Sequence, residues 1–392
     1  MAGTGGSCDM IFLSKQIEVP ETLDVELIER ELTALWMQTA RGLGVGQEGA
    51  VWRARAANVV IFSSRARTLD NVDSVLADLS QLHPCRALVV VADFAGADQD
   101  IEIYIASLCQ KDERGYASNL CCEEVRLRAA GKFTPELPSA TLPLLVPDLP
   151  VFLWWDDKLG AHDNLWTELS RSSDRLILDS LDFPLSELAM VAQLCQSNSS
   201  DSLGVSDINW ARLTSWRALL ASFYDVRAYR PALDSLQSIT VNYVAPESTR
   251  ALAPQSVLIS GWLASRLGWV PDPETFAQDD QVLSIKLRKK DRSLDLLLRG
   301  IEQEHTLPGR LSSVELKSHD ESAKFVVSRS ATGVHLETEA SVNTDTYPGQ
   351  VLPVRNRTMA QLLGREMEIL KNDDIYGAAL SSAMKICERQ VK

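Results

Sequence analysis

Val151-Phe-Leu-Trp-Trp155 closes the stretch TLPLLVPDLPVFLWW, Thr141 to Trp155, where leucines, prolines and a tandem tryptophan surround a single acid, Asp148. Membrane segment, ligand pocket and core are the competing readings. The acid and Pro143, Pro147 and Pro150 interrupt any helix long enough to cross a bilayer. VPDLP turns the chain. The VFLWW run that follows is apolar throughout and of strand length, the pattern of a sheet centre covered on both faces. Core is the reading that fits. Trp154 and Trp155 are then expected on opposite faces, because strand side chains alternate, and both are expected to pack rather than bind.

Outward from this strand, helices alternate with apolar runs. Residues 23–40 carry Val25, Ile28, Leu32, Leu35 and Thr39 on one helical face. NVVIFSS and CRALVVVAD read as strands around a helix over TLDNVDSVLADLSQLH, and IEIYIASLC and CCEEVRLRA as two further strands. A short helix is expected over 138–146. After VFLWW come a helix near HDNLWTELS, a strand at RLILDS and a helix from Pro184 to Cys195. This rhythm predicts an α/β domain with a mainly parallel sheet covered by helices. QSNSSDSLG is a polar loop, and DINWARLTSWRALLASFYD reads as one helix. Beyond YRPALD the pattern changes. SITVNYV is a strand and APQSVLISGWLASRLG a helix with Gly268 as its C-cap. QVLSIKLR, SLDLLLRGI, SSVELKS, AKFVVSR and GVHLETEA then alternate apolar with polar, an antiparallel meander with one wet face. Two terminal helices complete an α+β domain. The expected divisions are 1–48 (helix and Gly-rich loop), 49–232 (α/β) and 233–392 (α+β), about two domains' worth of chain.

Composition narrows the function. A formal charge of −14 lacks the basic face that nucleic acid requires, and suits a cytoplasmic protein with protein or small-molecule partners. MAGTGGSCDM lacks a cationic segment before an apolar run, so no secretory signal is expected. No run of about 18 apolar residues occurs, so no membrane span is expected. The seven cysteines show neither a CxxC pair nor regular spacing, which suits a reducing compartment without zinc or a disulfide framework.

Motifs for chemistry are sparse. Gly44-Val-Gly-Gln-Glu-Gly49 matches GxGxxG, but it follows a helix and precedes a strand, the reverse of the dinucleotide context. His83-Pro84-Cys85-Arg86 pairs a thiol with a histidine without a third group; capping a helix end or holding a carboxylate is the simpler role for its basic residues. The histidines do not fall into metal spacing, and neither a G-x-S-x-G elbow nor a Walker A sequence occurs. No catalytic, cofactor or metal residue is therefore assigned. The dense basic run Lys286, Arg288, Lys289, Lys290 and Arg292 lies at a hairpin tip, either solvated and guarding a sheet edge or docking an acidic surface or phosphate.

HPCRALVVVAD, LPLLVPDLPVFLWW, DRLILDS, INWARLTSWRALLASFYD and GWLASRLGW, in this order over about 83–269, resemble OpcA, the glucose-6-phosphate dehydrogenase assembly protein family of cyanobacteria and actinobacteria. LVPDLPVFLWW with LTSWRALL is the most specific pairing. The resemblance implies a non-catalytic protein that binds glucose-6-phosphate dehydrogenase, promotes its active oligomer and so gates the oxidative pentose phosphate pathway and NADPH supply. It also implies thioredoxin-linked control, for which the C-terminal region offers only Cys387. Partner contacts are then expected at Trp216 and Arg217 and at the Lys286–Arg292 hairpin, since aromatic and arginine anchors dominate interfaces. The alternative is an α/β enzyme or binding protein for a sugar phosphate or nucleotide.

Overall fold

The computed structural model describes residues 10–17, 24–42, 55–64, 69–111, 117–196, 203–245, 252–279, 282–319, 322–343, 345–354, 357–369 and 372–391. The Gly44–Gly49 motif and much of the QSNSSDSLG loop lie outside them. In chain order the elements are β1 (Met10–Ile17), α1 (Val25–Gly42), β2 (Ala57–Ser63), α2 (Leu69–Leu82), β3 (Cys85–Asp93), β4 (Gln99–Lys111) and β5 (Ala117–Ala130). There follow α3 (Leu137–Thr141), β6 (Val151–Asp156), α4 (Asp163–Arg171), β7 (Arg175–Leu178), α5 (Leu185–Gln196) and β8 (Gly204–Asp207). Next come α6 (Ile208–Arg212), α7 (Thr214–Asp225), α8 (Arg230–Asp234), β9 (Leu236–Val244), α9 (Pro254–Leu267), β10 (Val270–Asp279), β11 (Val282–Lys289) and β12 (Arg292–Ile301). The last are β13 (Leu311–Ser318), β14 (Ala323–Arg329), β15 (His335–Val342), β16 (Asp345–Tyr347), β17 (Val351–Pro353), α10 (Met359–Met367), α11 (Asp374–Ile386) and α12 (Glu388–Val391). They form two compact units, one of Met1–Leu178, Asp201–Ser206 and Arg357–Leu370, the other of Asp179–Ser200, Asp207–Asn356 and Lys371–Lys392.

In the first unit an eight-stranded sheet runs β1-β4-β5-β3-β2-β6-β7-β8. β5-β3-β2-β6-β7 are parallel, and β4 and β1 add antiparallel pairs at one side. The sheet is mainly parallel, as the alternation of helices and apolar runs requires. VFLWW is β6, between β2 and β7. Trp154 is 5% and Trp155 1% exposed. Phe62 stacks on Trp155 at 4.1 Å between ring centroids, and Trp166 meets the same indole edge-on at 5.0 Å. The turn before β6 is clamped by buried Asn58, which donates to the Val146 carbonyl (3.0 Å) and accepts from the Val146 amide (2.9 Å). Asp148 has φ 62°, a left-handed turn position that aspartate tolerates. The strand β1 is not evident in the sequence pattern.

The second unit holds a nine-stranded sheet, β10-β11-β12-β9-β13-β14-β15-β16, with β17 beside β15. Its pairs are antiparallel except β12 with β9. Leu283, Ile285 and Leu287 of β11 and Leu294, Leu296 and Leu298 of β12 are buried, while the residues between them face outward. One face is wet, as the alternation predicts. One local expectation needs correction, and one strand is not among those expected. The helix expected over 207–225 is broken: α6 ends at Arg212, Leu213 caps it, and Thr214 Oγ1 donates to the Ala211 carbonyl at the junction. β10 is a strand that Pro271 and Pro273 disguise. As an edge strand with a register shift between Asp272 and Ala277, it tolerates missing donors.

Candidate functional site

Within the first unit the parallel part of the sheet starts at β2, builds outward through β3 and β5, and returns to β6 on the other side of β2. The switch point between β2 and β6 is where open α/β sheets place ligands. At this edge Ser63 Oγ lies 3.4 Å from Asp156 Oδ2. His162, in a left-handed conformation (φ 64°), stacks on Phe94 at 3.5 Å and brings Nε2 within 3.4 Å of Asp157. Carboxylates and rings that engage one another suit packing; they are the wrong sign for a phosphate. The His83-Pro84-Cys85-Arg86 segment, at the opposite, N-terminal end of the parallel strands, is likewise occupied. Arg86, 1% exposed, is paired with Glu29 and with Glu123, the latter at 2.8 Å. His83 Nε2 is 3.8 Å from Glu368.

The basic hairpin belongs to the second unit. β11 and β12 pair Lys289 with Arg292, and Lys290 turns the chain with φ 54°. Most of its charge is answered locally. Lys286 Nζ meets Asp295 at 2.8 Å, across the strand pair, and Arg288 meets Asp272 at 2.5 Å. Lys289 Nζ donates to the Leu267 carbonyl at 2.7 Å, satisfying the end of α9 and its negative dipole. Lys289 and Arg292 also lie 5.9 and 5.7 Å from the ring centre of Trp269. Lys290 remains exposed, without an ion-pair partner among the described residues. The hairpin tip is therefore a small cationic cap over an indole, and Trp269 is the member that the sequence reading missed, since it sits beyond the helix cap and outside the run.

Trp216 and Arg217 separate. Trp216 is 3% exposed on the inner side of α7, with the Arg329 guanidinium 5.9 Å from its ring centre. Arg217 lies 3.6 Å above the ring of Trp210 and donates to the Trp210 carbonyl at 3.4 Å. Trp210 is itself buried, with Nε1 donating to Asp373 at 3.0 Å. Of the pair, only Arg217 presents an edge to the outside.

Beneath lies a polar cluster that no motif announces. Asp207 caps α6 by accepting from the Asn209 amide at 2.9 Å. It also accepts from Ser180 N (3.1 Å), Ser180 Oγ (2.6 Å) and Tyr376 OH (3.1 Å). Gln255 donates to Asn209 at 2.8 Å and accepts from the Leu311 amide at 3.1 Å. Burial raises the Asp207 carboxyl to about 6, and the Asp179 charge adds to the effect. Enclosure and complete partnering make it an organiser of the unit rather than a reactive group. Cys387, at the end of α11, is wholly buried, and burial pushes its thiol to about 12.

Comparison with known proteins gives this arrangement a family. Residues 76–194 match the family model described as glucose-6-phosphate dehydrogenase subunit N-terminal domain, and 203–380 the corresponding C-terminal domain. The chain is 26% identical over 326 residues to the "Putative OxPP cycle protein OpcA" of Synechocystis sp., covering 80% of this chain and 66% of that protein. It is 24% identical over 318 residues to the protein of that name from Nostoc punctiforme, covering 79% and 66%. The chain thus spans just under two thirds of the length of these relatives. An NAD-binding oxidoreductase from Klebsiella pneumoniae has a TM-score of 0.49 at 9% identity, covering 86% of this chain and 97% of that one; a likeness at this level carries nothing about activity. With the N-terminal and C-terminal domain models matched in order along one chain, the protein belongs to the OpcA family of glucose-6-phosphate dehydrogenase assembly proteins.

Proposed function

We propose that the protein is a cytoplasmic assembly factor for glucose-6-phosphate dehydrogenase, binding that enzyme, favouring its active oligomer and performing no chemistry of its own. The observation that carries this reading is the ordered match of both domain models. Its activity thereby governs entry into the oxidative pentose phosphate pathway and the supply of NADPH. The physical basis is linkage: a protein that binds the active form more tightly than the inactive one shifts the population, and about 1–3 kcal/mol of difference corresponds to a roughly 5–150-fold coupling.

The partner-facing groups in this reading are Lys290 and Arg292 at the hairpin tip, with Trp269 behind them, and Arg217. Lys286, Arg288 and Lys289 hold the hairpin to its own unit, and Trp216 supports from within. Thioredoxin finds little support: the enclosed thiol of Cys387, with its raised pKa, carries almost no thiolate at neutral pH.

The test mixes the purified protein with the dehydrogenase of its own host. Activity at subsaturating glucose 6-phosphate is expected to rise with added protein, which alone turns over nothing. Failure to associate or to change the kinetics at micromolar concentration overturns the reading, and the sugar-phosphate enzyme becomes the next to test.

A further inference from the structure

One end of the nine-stranded sheet gathers the C-terminal ends of β9, β12 and β14 and the N-terminal ends of β13 and β15. Residues 302–310 connect β12 to β13 there, and 330–334 connect β14 to β15. Left-handed residues shape both connections: His305 (φ 58°), Gly309 (φ 78°) and Gly333 (φ 74°). A β-carbon on Gly333 would stand 2.5 Å from the His305 carbonyl oxygen, so the two connections lie against each other.

Arginines converge on this end. Arg329 donates through Nε to the Leu311 carbonyl and through Nη1 to the Gly333 carbonyl, both at 3.2 Å. Its guanidinium thus bridges the start of β13 and the turn. Arg310 directly precedes Leu311, and its backbone is held by bonds to Leu307 (3.3 Å) and Val244 (2.9 Å). Arg212 grips Asp179 through two bonds, at 2.5 and 2.7 Å. Asp179 begins the short turn Ser180–Asp182, whose Leu181 carbonyl lies 3.9 Å from the place of a β-carbon on Gly309. The charges of Arg212, Arg329, Asp179 and Asp182 all act on the Arg310 guanidinium. Burial and the charge of Arg212 bring it down to about 10.

The charges do not balance. Arg212 is answered by Asp179. Arg329 spends its hydrogen bonds to described residues on carbonyls rather than carboxylates. Half-buried Arg310 has neither an ion pair nor a side-chain hydrogen bond among the described residues. A chain with a formal charge of −14 keeps two guanidiniums here without a carboxylate of the described residues bound to either. Such an arrangement is unfavourable until an anion answers it.

We propose that Arg310 and Arg329 form an anion site at this end of the sheet that takes a phosphate monoester. Planar guanidinium forks match phosphate oxygens, and a dianion neutralises two of them where a carboxylate neutralises one. Leu307 and Val334, 69% and 51% exposed, flank the arginines in the same two connections and offer apolar contact to whatever carries the phosphate. The nearby Asp182 carboxylate opposes the anion and keeps the affinity modest.

The experiment follows thermal unfolding of the isolated protein in sodium phosphate against sodium chloride at matched ionic strength and neutral pH, with calorimetric titration of inorganic phosphate. The readout is independent of the dehydrogenase, so its failure leaves the assembly reading untouched. Phosphate is expected to raise the unfolding midpoint of the native protein in a saturable way. R310Q should weaken phosphate binding about tenfold or more, whereas the exposed-charge control R266Q should keep it. In chloride, R310Q should unfold no lower than the native protein, because a crowded cation has been removed. A hexose phosphate that binds more tightly than phosphate identifies a phosphorylated sugar as the ligand; equal binding identifies phosphate alone. Identical midpoints in phosphate and chloride, or an R310Q response equal to that of the native protein, overturn the proposal. So does an R310Q variant that unfolds well below the native protein in chloride while the native protein ignores phosphate.

Discussion

Gly261 of α9 lies directly against Ala379 of α11: a β-carbon on Gly261 would be 2.2 Å from the Ala379 carbonyl oxygen and 2.6 Å from the Ala383 nitrogen. Both obstacles are backbone, which cannot swing aside. Alanine is the better helix former in isolation, but here the clash dominates. G261A is expected to destabilise the second unit by about 1–3 kcal/mol, read as a lower midpoint in denaturant unfolding. An unchanged midpoint would mean the helices do not cross this closely.

Asp207 makes stability depend on pH in an unusual direction. Its folded pKa, about 6, lies above the ordinary 3.8. The folded state therefore holds the proton more tightly, and this contribution is complete below the unfolded pKa and lost as pH rises through the folded one. Between about pH 4 and 6 the native protein should lose on the order of 2–3 kcal/mol relative to D207N. Denaturant curves for both proteins at stepped pH check this, and parallel pH profiles would refute it.

At the hairpin, charge and architecture can be told apart. Lys290 has no ion-pair partner among the described residues, whereas Lys289 also closes the end of α9. K290Q should slow association with the dehydrogenase, most visibly at low salt, and leave the unfolding midpoint within about 0.5 kcal/mol of the native value. K289Q should lower stability as well, because the Leu267 carbonyl loses its donor. Equal effects of the two substitutions on both measurements would dissolve the distinction.

The cysteines should be reduced yet silent. Cys85 and Cys122 face each other from β3 and β5 with sulfurs 3.6 Å apart, and Cys122 also accepts from the Cys85 amide at 3.1 Å. Both are buried, and the Cys85 thiol is raised well above its ordinary value by its bond to Cys122 and by burial. Titration of denatured, non-reduced protein should find all seven thiols, whereas in the native state Cys85, Cys122 and Cys387 should resist modification. A shortfall of two after denaturation would place a disulfide in the sheet.

Patterns that depend on burial alone were legible in the residues. VFLWW could only be an inner strand, and the alternation in β11 and β12 announced one wet face. The strand β10 was hidden because prolines at an edge look like a loop, and the parallel pairing of β12 with β9 leaves no mark on either strand. The candidate sites were least visible. Arg310, Arg329 and Arg212 are far apart in sequence, and only the topology brings them to one end of a sheet. Trp216 illustrates the converse: its chain neighbour Arg217 suggested an exposed pair, but helical geometry points one inward and lays the other over Trp210.

The helix α10 carries a consequence for synthesis. It enters through a capping box of Thr358 and Gln361 and packs on α2, with Gly364 so close to the His83 ring that a β-carbon would stand 2.8 Å from it. A ribosome delivers α2 some 280 residues before α10, by the difference between Leu82 and Met359. At about 5–20 residues per second, the covering helix arrives roughly 15–60 seconds later. During that interval the apolar side of α2 lacks its cover, so the nascent chain should be a better client for a chaperone than the finished protein.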